Sequence, residues 1–417
     1  MTAATSKVST VPARESNVPL VDSLRPGSSS QASGVSGGYR PDSLEVADGW
    51  VSGVDRIRLP GGVRESPREA LEGVLRPRLL DGCAVSFSGG VDSSLVLAVA
   101  LQLARREGLP EPAAITTRHP HAPGSEEERW QQAAVDALRP SDWQRIICPV
   151  EEMDLLGPGA CEGLLQDGLL WPPTAHTKRV FFRGCSGLVV LTGEGGDEVF
   201  GQRRTTRAAH LLRSVKHRQP VPRAFVARAA RDLLPARPLA RSAEVVTPWL
   251  TDEALRLFAQ PAHETRREPL GGVAYQEWLA GRRAWRLGAA TLGAVAHSQG
   301  AEYVHPLMHP RVLLAVGRAR QGWTARTRSH LLSVLFPGVL PDLVLWRRGK
   351  AHFGEVLFAE PSRAFARSWD GSGVDRQLVD VVRLRAHWLS EEPHFRSGLL
   401  LQQAFLAQRR PSAESLP

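Results

Sequence analysis

The strongest limit on what this chain can fold into is a glycine-rich turn set between an apolar run and a helical pattern: SFSGGVDSS, at 86–94. Cys83 to Phe87 is short and apolar, as a buried strand is. Leu95 to Arg106 carries apolar residues on most sides of a helix. In such a strand–turn–helix unit, Gly89 and Gly90 let backbone amides come close to an anion. The helix N-terminus adds unpaired N–H groups and the positive end of its dipole. Ser88, Ser93 and Ser94 add hydroxyl donors. Asp92 inside this cradle would repel phosphate unless a cation lay between them, which makes it a candidate Mg2+ ligand. The chain has no GxxxxGK followed by Ser or Thr at this turn, and no GxGxxG there, so neither a Walker loop nor a dinucleotide fingerprint accounts for it.

The pattern on either side repeats the unit. Ser66 and Pro67 open a helix to about Leu79. Strands are predicted at 113–117, 146–150 and 188–191, and helices at 126–138 and 175–183. Short unbroken strands alternating with helices indicate an α/β fold whose parallel sheet is covered on both faces. From about 203 the strand signal fades, and 222–234, 249–258, 273–297, 324–335, 375–389 and 395–408 read as helices. The expected organisation is a disordered Ser/Gly/Pro-rich segment at 1–45, a linker at 46–69, an α/β core at 70–202 and a mostly helical region at 203–417.

Composition narrows the function. The chain of 417 residues is 42% hydrophobic and 23% charged, ordinary values for a globular protein. Its longest apolar stretch, Leu95 to Leu103, is too short to span a bilayer. The N-terminus lacks a secretory pattern, so a cytoplasmic location is expected. The four cysteines, Cys83, Cys148, Cys161 and Cys185, form no CxxC pair, which argues for reduced thiols rather than zinc or iron–sulfur. His305 and His309 are four apart but have no carboxylate beside them. The net charge of +9 is concentrated between Arg203 and Arg241, where ten Arg and one Lys face one acid, Asp232. Such a segment can receive a partner protein or present a solvated basic face. Phe225 is its one aromatic residue, which argues against a nucleic-acid stacking platform.

A second loop, LTGEGGDEVFG at 191–201, packs three acids and four glycines into eleven residues after the apolar run 188–191. SGGVDSS is similar to the SGGxDS loop of the PP-loop ATP pyrophosphatases, which split ATP into AMP and pyrophosphate. LTGEGGDEVFG resembles the longer SGEGxDExFGG signature of the asparagine synthetase family, and follows the first loop by 104 residues, from Gly89 to Gly193. The resemblance implies a Rossmann-like core with both loops at the carboxyl edge of the sheet. There Gly193 and Gly195 would join the first loop in holding ATP. Asp92 and Asp197 would share Mg2+ across the pyrophosphate, Glu194 would be the general base for an incoming amine, and Glu198 would support the loop.

Further segments extend the resemblance over about 70–410. WRRGKAHF, at 346–353, is similar to a late family segment in which Lys precedes Phe by three positions. Only four Lys accompany 48 Arg in this chain, so Lys350 marks a place that wants a compact ammonium. It would neutralise charge on the α-phosphate and the leaving pyrophosphate. SEEERWQQAA, at 125–134, resembles the DExxYA stretch, with Trp130 at the aromatic position. AHSQGAEYVHPLMHP, at 296–310, resembles MAHSxExRxPFLD with one insertion, but Val304 stands at the family's Arg and His309 at its Asp. These two departures speak against an aspartate-like substrate. WPPTAH, at 171–176, is expected to help shape the acyl pocket.

The implied activity is ATP-dependent, AMP-forming amide ligation: adenylation of a small-molecule or peptide carboxylate, then transfer to ammonia or an amine. About 70 residues precede the core, and Met1-Thr2 lacks the Cys that opens a glutaminase, so ammonia made within the chain is not expected. VDRIRLPGG, at 54–62 within the segment 46–69, is expected as a linker or as a remnant of that domain's last hairpin. Beta-lactam synthetases and lasso-peptide cyclases, from the same superfamily, use amines within their substrates. Two other readings compete. A lysidine-forming tRNA ligase shares SGGxDS but lacks the GEGGDE loop. A non-catalytic partner subunit would not need Asp92, Glu194, Asp197 and Lys350 together.

Overall fold

The computed structural model describes residues 39–409 apart from 63, 121–127, 202, 204–205, 217, 219, 234–245, 266–267, 321–326 and 348–353. Five strands, β1 (Ala84–Ser86), β2 (Ala113–Arg118), β3 (Trp143–Ile147), β4 (Val189–Thr192) and β5 (Glu302–Val304), form one parallel sheet in the order β3-β2-β1-β4-β5. In register, Ala84 lies opposite Ala113 on one side and Val190 on the other. From β1 the chain builds outward through β2 and β3, then returns to the other side of β1 with β4. The loops after β1 and β4 therefore flank the point where strand order reverses, and ligands of open α/β sheets bind in that crevice.

The period of two along each strand divides the core. Val85, Ala114 and Leu191 face a cluster built on helices Pro67–Asp81, Val91–Glu107 and Pro310–Ala319. Ala84, Ile115 and Val190 face the opposite way, onto Phe181, Phe182, Leu292 and Val295. The Val91–Glu107 helix is buried from Ser93 through Leu101, as its apolar circumference requires. Its fixed axis aims its N-terminus at the loop after β1. The Pro67–Asp81 helix opens with a capping box, Ser66 with Glu69, and Pro67 in its first turn.

A separate, mostly helical cluster gathers Trp249, Trp369, Trp388 and Leu399–Leu401. It includes Val46 and Ala47 from a short helix, Ser43–Asp48, whose N-cap Asp42 forms a second capping box with Glu45. This helix begins inside the stretch expected to be disordered: six residues suffice because their apolar face is buried under a distant part of the chain. Trp249 is fully buried and its indole donates to the Ala47 carbonyl at 2.9 Å. Trp249→Ala is expected to lower unfolding free energy by about 3–5 kcal/mol, read as a lower urea midpoint with unchanged slope.

Other elements depart from the sequence expectation for definable reasons. The strand predicted at 146–150 lies at Trp143–Ile147, because Pro149 has no N–H for a ladder and caps the short helix Val150–Met153. The helix predicted at 273–297 is two, Gly272–Gly281 and Arg283–Ser298. The extended piece at 53–55 docks at the break: Asp55 N donates to Gly281 O at 2.7 Å and Arg283 N to Gly53 O at 3.1 Å. Val54–Gly62 runs without helix or hairpin, with an antiparallel bridge from Val54 to Arg282. The sheet does not end near 202 either: β5 supplies its fifth strand from a region that reads as helical, since three residues are too few to show a period. Trp171 is core, 4% exposed and donating to Ala284 O at 2.9 Å, so its place in WPPTAH is structural. All four cysteines are free thiols, each pushed up to about 11 by burial. No helix among the described residues is long and apolar enough to cross a membrane.

Candidate active site

The loop after β1 is knitted by its own serines. Ser88 N donates to Ser93 Oγ at 3.2 Å, Ser93 Oγ donates to Gly90 O at 3.1 Å, and Gly90 N donates to Ser88 Oγ at 3.2 Å. Gly89 takes a positive φ of 77°, which turns the chain sharply into the helix. Gly90 is the N-cap and makes no side-chain cap bond, so the first N–H groups of the 17-residue helix have no capping side chain. The result is an ordered loop at a helix N-terminus, the arrangement that binds phosphate. Ser94 is fully buried and its hydroxyl finds no partner, so Ser88 and Ser93 are the hydroxyls at the turn.

The second loop lies directly against the first. A Cβ on Gly193 would fall 2.4 Å from Ser93 N, and one on Gly196 would fall 2.2 Å from Asp92 Oδ1. Only bare backbone permits that approach. Gly195 precedes the short helix Gly196–Phe200, whose first turn carries Asp197 and Glu198. Asp92 and Asp197, from different loops, are joined by one guanidinium: Arg328 Nη2 donates to Asp92 Oδ1 and Nη1 to Asp197 Oδ1. A single cationic group thus already spans the two carboxylates. Two carboxylates that share one cationic group can equally share Mg2+. No group of three or more His, Cys, Asp or Glu side chains among the described residues could hold a metal, but Mg2+ is commonly held by one or two carboxylates with substrate phosphates completing the shell.

Glu194 sits on the other flank of the site. Its backbone N donates to Thr192 Oγ1 at 3.0 Å, and Tyr303 Oη, from β5, donates to Glu194 Oε1 at 3.0 Å. Burial first, and the Glu194 charge second, hold the Tyr303 phenol well above its ordinary value, so it remains a donor. His305 Nδ1 lies 3.6 Å from Glu194 Oε2, beyond a good hydrogen bond. The imidazole is buried, edge-on to Trp285 and Tyr303, and neither ring nitrogen has a hydrogen-bond partner. Burial pulls its pKa down, with Glu194 pulling up more weakly, so the ring is neutral at neutral pH. Glu194 is therefore fixed through one oxygen and open at the other, with its side chain about one-third exposed, at 34%. Glu198 offers its backbone carbonyl to Tyr275 Oη at 3.4 Å, a loop-supporting contact.

Other side chains hold the first loop from outside. Arg347 Nη1 donates to Gly89 O at 3.0 Å, Gln131 Nε2 donates to Ser88 O at 3.3 Å, and the Arg347 guanidinium lies over the Trp130 ring at 5.1 Å. This links WRRGKAHF to the loop, while Lys350 itself lies outside the described residues. The sequence reading missed Arg328, Tyr303, His305 and Arg347. Tyr303 and His305 belong to the segment whose mismatches it noted, and Arg347 adjoins the Lys motif. Arg328 carried no signal among 48 arginines.

Compared with known proteins, residues 68–407 match the model of the asparagine synthase family. No curated protein matches the chain.

Proposed function

The chain belongs to the asparagine synthase family, which makes it an ATP-dependent amide ligase in kind, and from that premise we propose that it adenylates a carboxylate at the two facing loops and passes the acyl group to ammonia or an amine. The observation that carries the reading is the convergence of Asp92 and Asp197 beside the Ser88–Ser93 cradle, with Glu194 on the adjoining flank. A carboxylate oxygen attacks the α-phosphorus of ATP and pyrophosphate leaves. Ser88, Ser93 and the helix N-terminus bind the phosphates; Gly193 and Gly195 keep the second loop low enough to reach them. Mg2+, held by Asp92 and Asp197, would supply charge neutralisation on the leaving group, and the Lys350 ammonium would do so at the α-phosphate. An amine then attacks the acyl carbon and AMP leaves. Glu194 takes the amine proton on its open oxygen, while Tyr303 holds the other.

The acyl donor is proposed as a small-molecule or peptide carboxylate, and the cytoplasm as its location. Val304 replaces the arginine expected at this strand position, and the side chains against the Glu194 carboxylate are Tyr303 and His305, the latter backed by Trp285, which favours a carboxylate other than an aspartate-like one. A pyrophosphate-release screen of carboxylates against ammonia and primary amines tests the reading. Silence across the screen with Mg-ATP bound would leave the amide-ligase assignment without its substrate class, and failure to bind Mg-ATP at millimolar concentration would overturn it. Within an active pair, Glu194→Gln is expected to keep most ATP–pyrophosphate exchange and to lose amide formation by about 10²-fold or more. Equal loss of both half-reactions would remove the base role.

A further inference from the structure

We propose that Arg328 is a displaceable internal cation, holding Asp92 and Asp197 together before nucleotide binds and yielding them to divalent metal only when a pyrophosphate group gives the guanidinium a new partner. The proposal rests on the assignment of these carboxylates as the metal ligands, and deepens it. The guanidinium fork reaches two loops at once, Nη2 to Asp92 and Nη1 to Asp197. Asp92 is partly buried, at 17% side-chain exposure, and Arg328 is 27% exposed, so water screens this pair less than it would an open surface pair, while Asp197, at 52%, is the open arm. Arg328 is the first residue of the Arg328–Leu335 helix, whose cap Thr327 Oγ1 accepts from His330 N at 3.2 Å. A cation at a helix N-terminus stands against the dipole; the two carboxylates offset that penalty. Its root is thus fixed while its head is shared between loops. The buried Nε has no acceptor, leaving a donor unspent.

A divalent ion alone must expel the guanidinium from both carboxylates and leave it without a counter-ion. Metal arriving with pyrophosphate brings anionic oxygens that suit the same fork, so carboxylate–guanidinium pairs become carboxylate–metal and guanidinium–phosphate pairs. Charge stays paired at each stage. The consequence is order: metal enters with the nucleotide, not before it, and Arg328 ends on the leaving group.

Mn2+ alone, followed by the signal of the free ion in electron paramagnetic resonance with the full chain, is the direct probe. R328Q is expected to bind Mn2+ at least about tenfold tighter than the unsubstituted protein, and to bind inorganic pyrophosphate in the presence of Mn2+ more weakly by a similar factor. R328K, a point charge without a fork, should fall between the two for Mn2+. It keeps the test decisive if R328Q does not fold. Unchanged or weaker Mn2+ binding in R328Q, or in R328K where R328Q does not fold, would overturn the proposal. If that occurs while Asp92→Asn and Asp197→Asn still abolish pyrophosphate release, only the role of Arg328 fails. If the gain in Mn2+ affinity persists when both carboxylates are also replaced, the metal lies elsewhere and both assignments fail.

Discussion

Asp92→Asn and Asp197→Asn are each expected to lower substrate-dependent pyrophosphate release by about 10²–10³-fold or more, with little change in melting temperature. The substitution keeps shape and removes charge. Asp197 is 52% exposed, so its pair with Arg328 contributes little to folding, roughly 0–1 kcal/mol, and Asp92, at 17%, is the better shielded of the two. Their charge matters when pyrophosphate develops and a cation must be held against it. With both carboxylates proposed to serve one cation, the double variant should be barely slower than the worse single variant. Full activity in either single variant would show that the facing loops are not the phosphate site.

Gly193→Ala should be nearly as damaging for a different reason. Its new Cβ would meet the backbone N of Ser93 at 2.4 Å, and backbone at the start of a buried helix cannot move aside as a side-chain tip can. The second loop must lift, carrying Glu194 and Asp197 away from Asp92. A displacement near 1 Å costs about 10²-fold in a positioned reaction, and the overpacking costs about 1–3 kcal/mol of stability. Steady-state pyrophosphate release and a urea melt on the same sample separate the two effects. Activity retained above about one-tenth would mean that the loops need not touch during the reaction.

Much of this arrangement is legible in the sequence. SFSGGVDSS and LTGEGGDEVFG each follow a short apolar strand, and strand–turn–helix alternation places such turns on one sheet edge. That Gly193 touches Ser93 follows from β1 and β4 being adjacent, which the sequence order of strands alone does not state. β5 was hidden because Glu302–Val304 is too short to show alternation, and with it went Tyr303 and its grip on Glu194. Arg328 was hidden for a statistical reason: a bridging arginine looks like any other in a chain that uses arginine as its default cation. The Ser43–Asp48 helix was hidden because its stability comes from Trp249, some 200 residues away.

The proposed first step joins a substrate carboxylate oxygen to the α-phosphorus at this site. Its most direct measurement uses the carboxylate that performs best in the pyrophosphate screen, labelled with 18O in the carboxyl group, and mass analysis of the nucleotide product. The expected result is AMP carrying one 18O per turnover, with equimolar unlabelled pyrophosphate. ADP with 18O in inorganic phosphate would place attack at the γ-phosphorus and contradict the account.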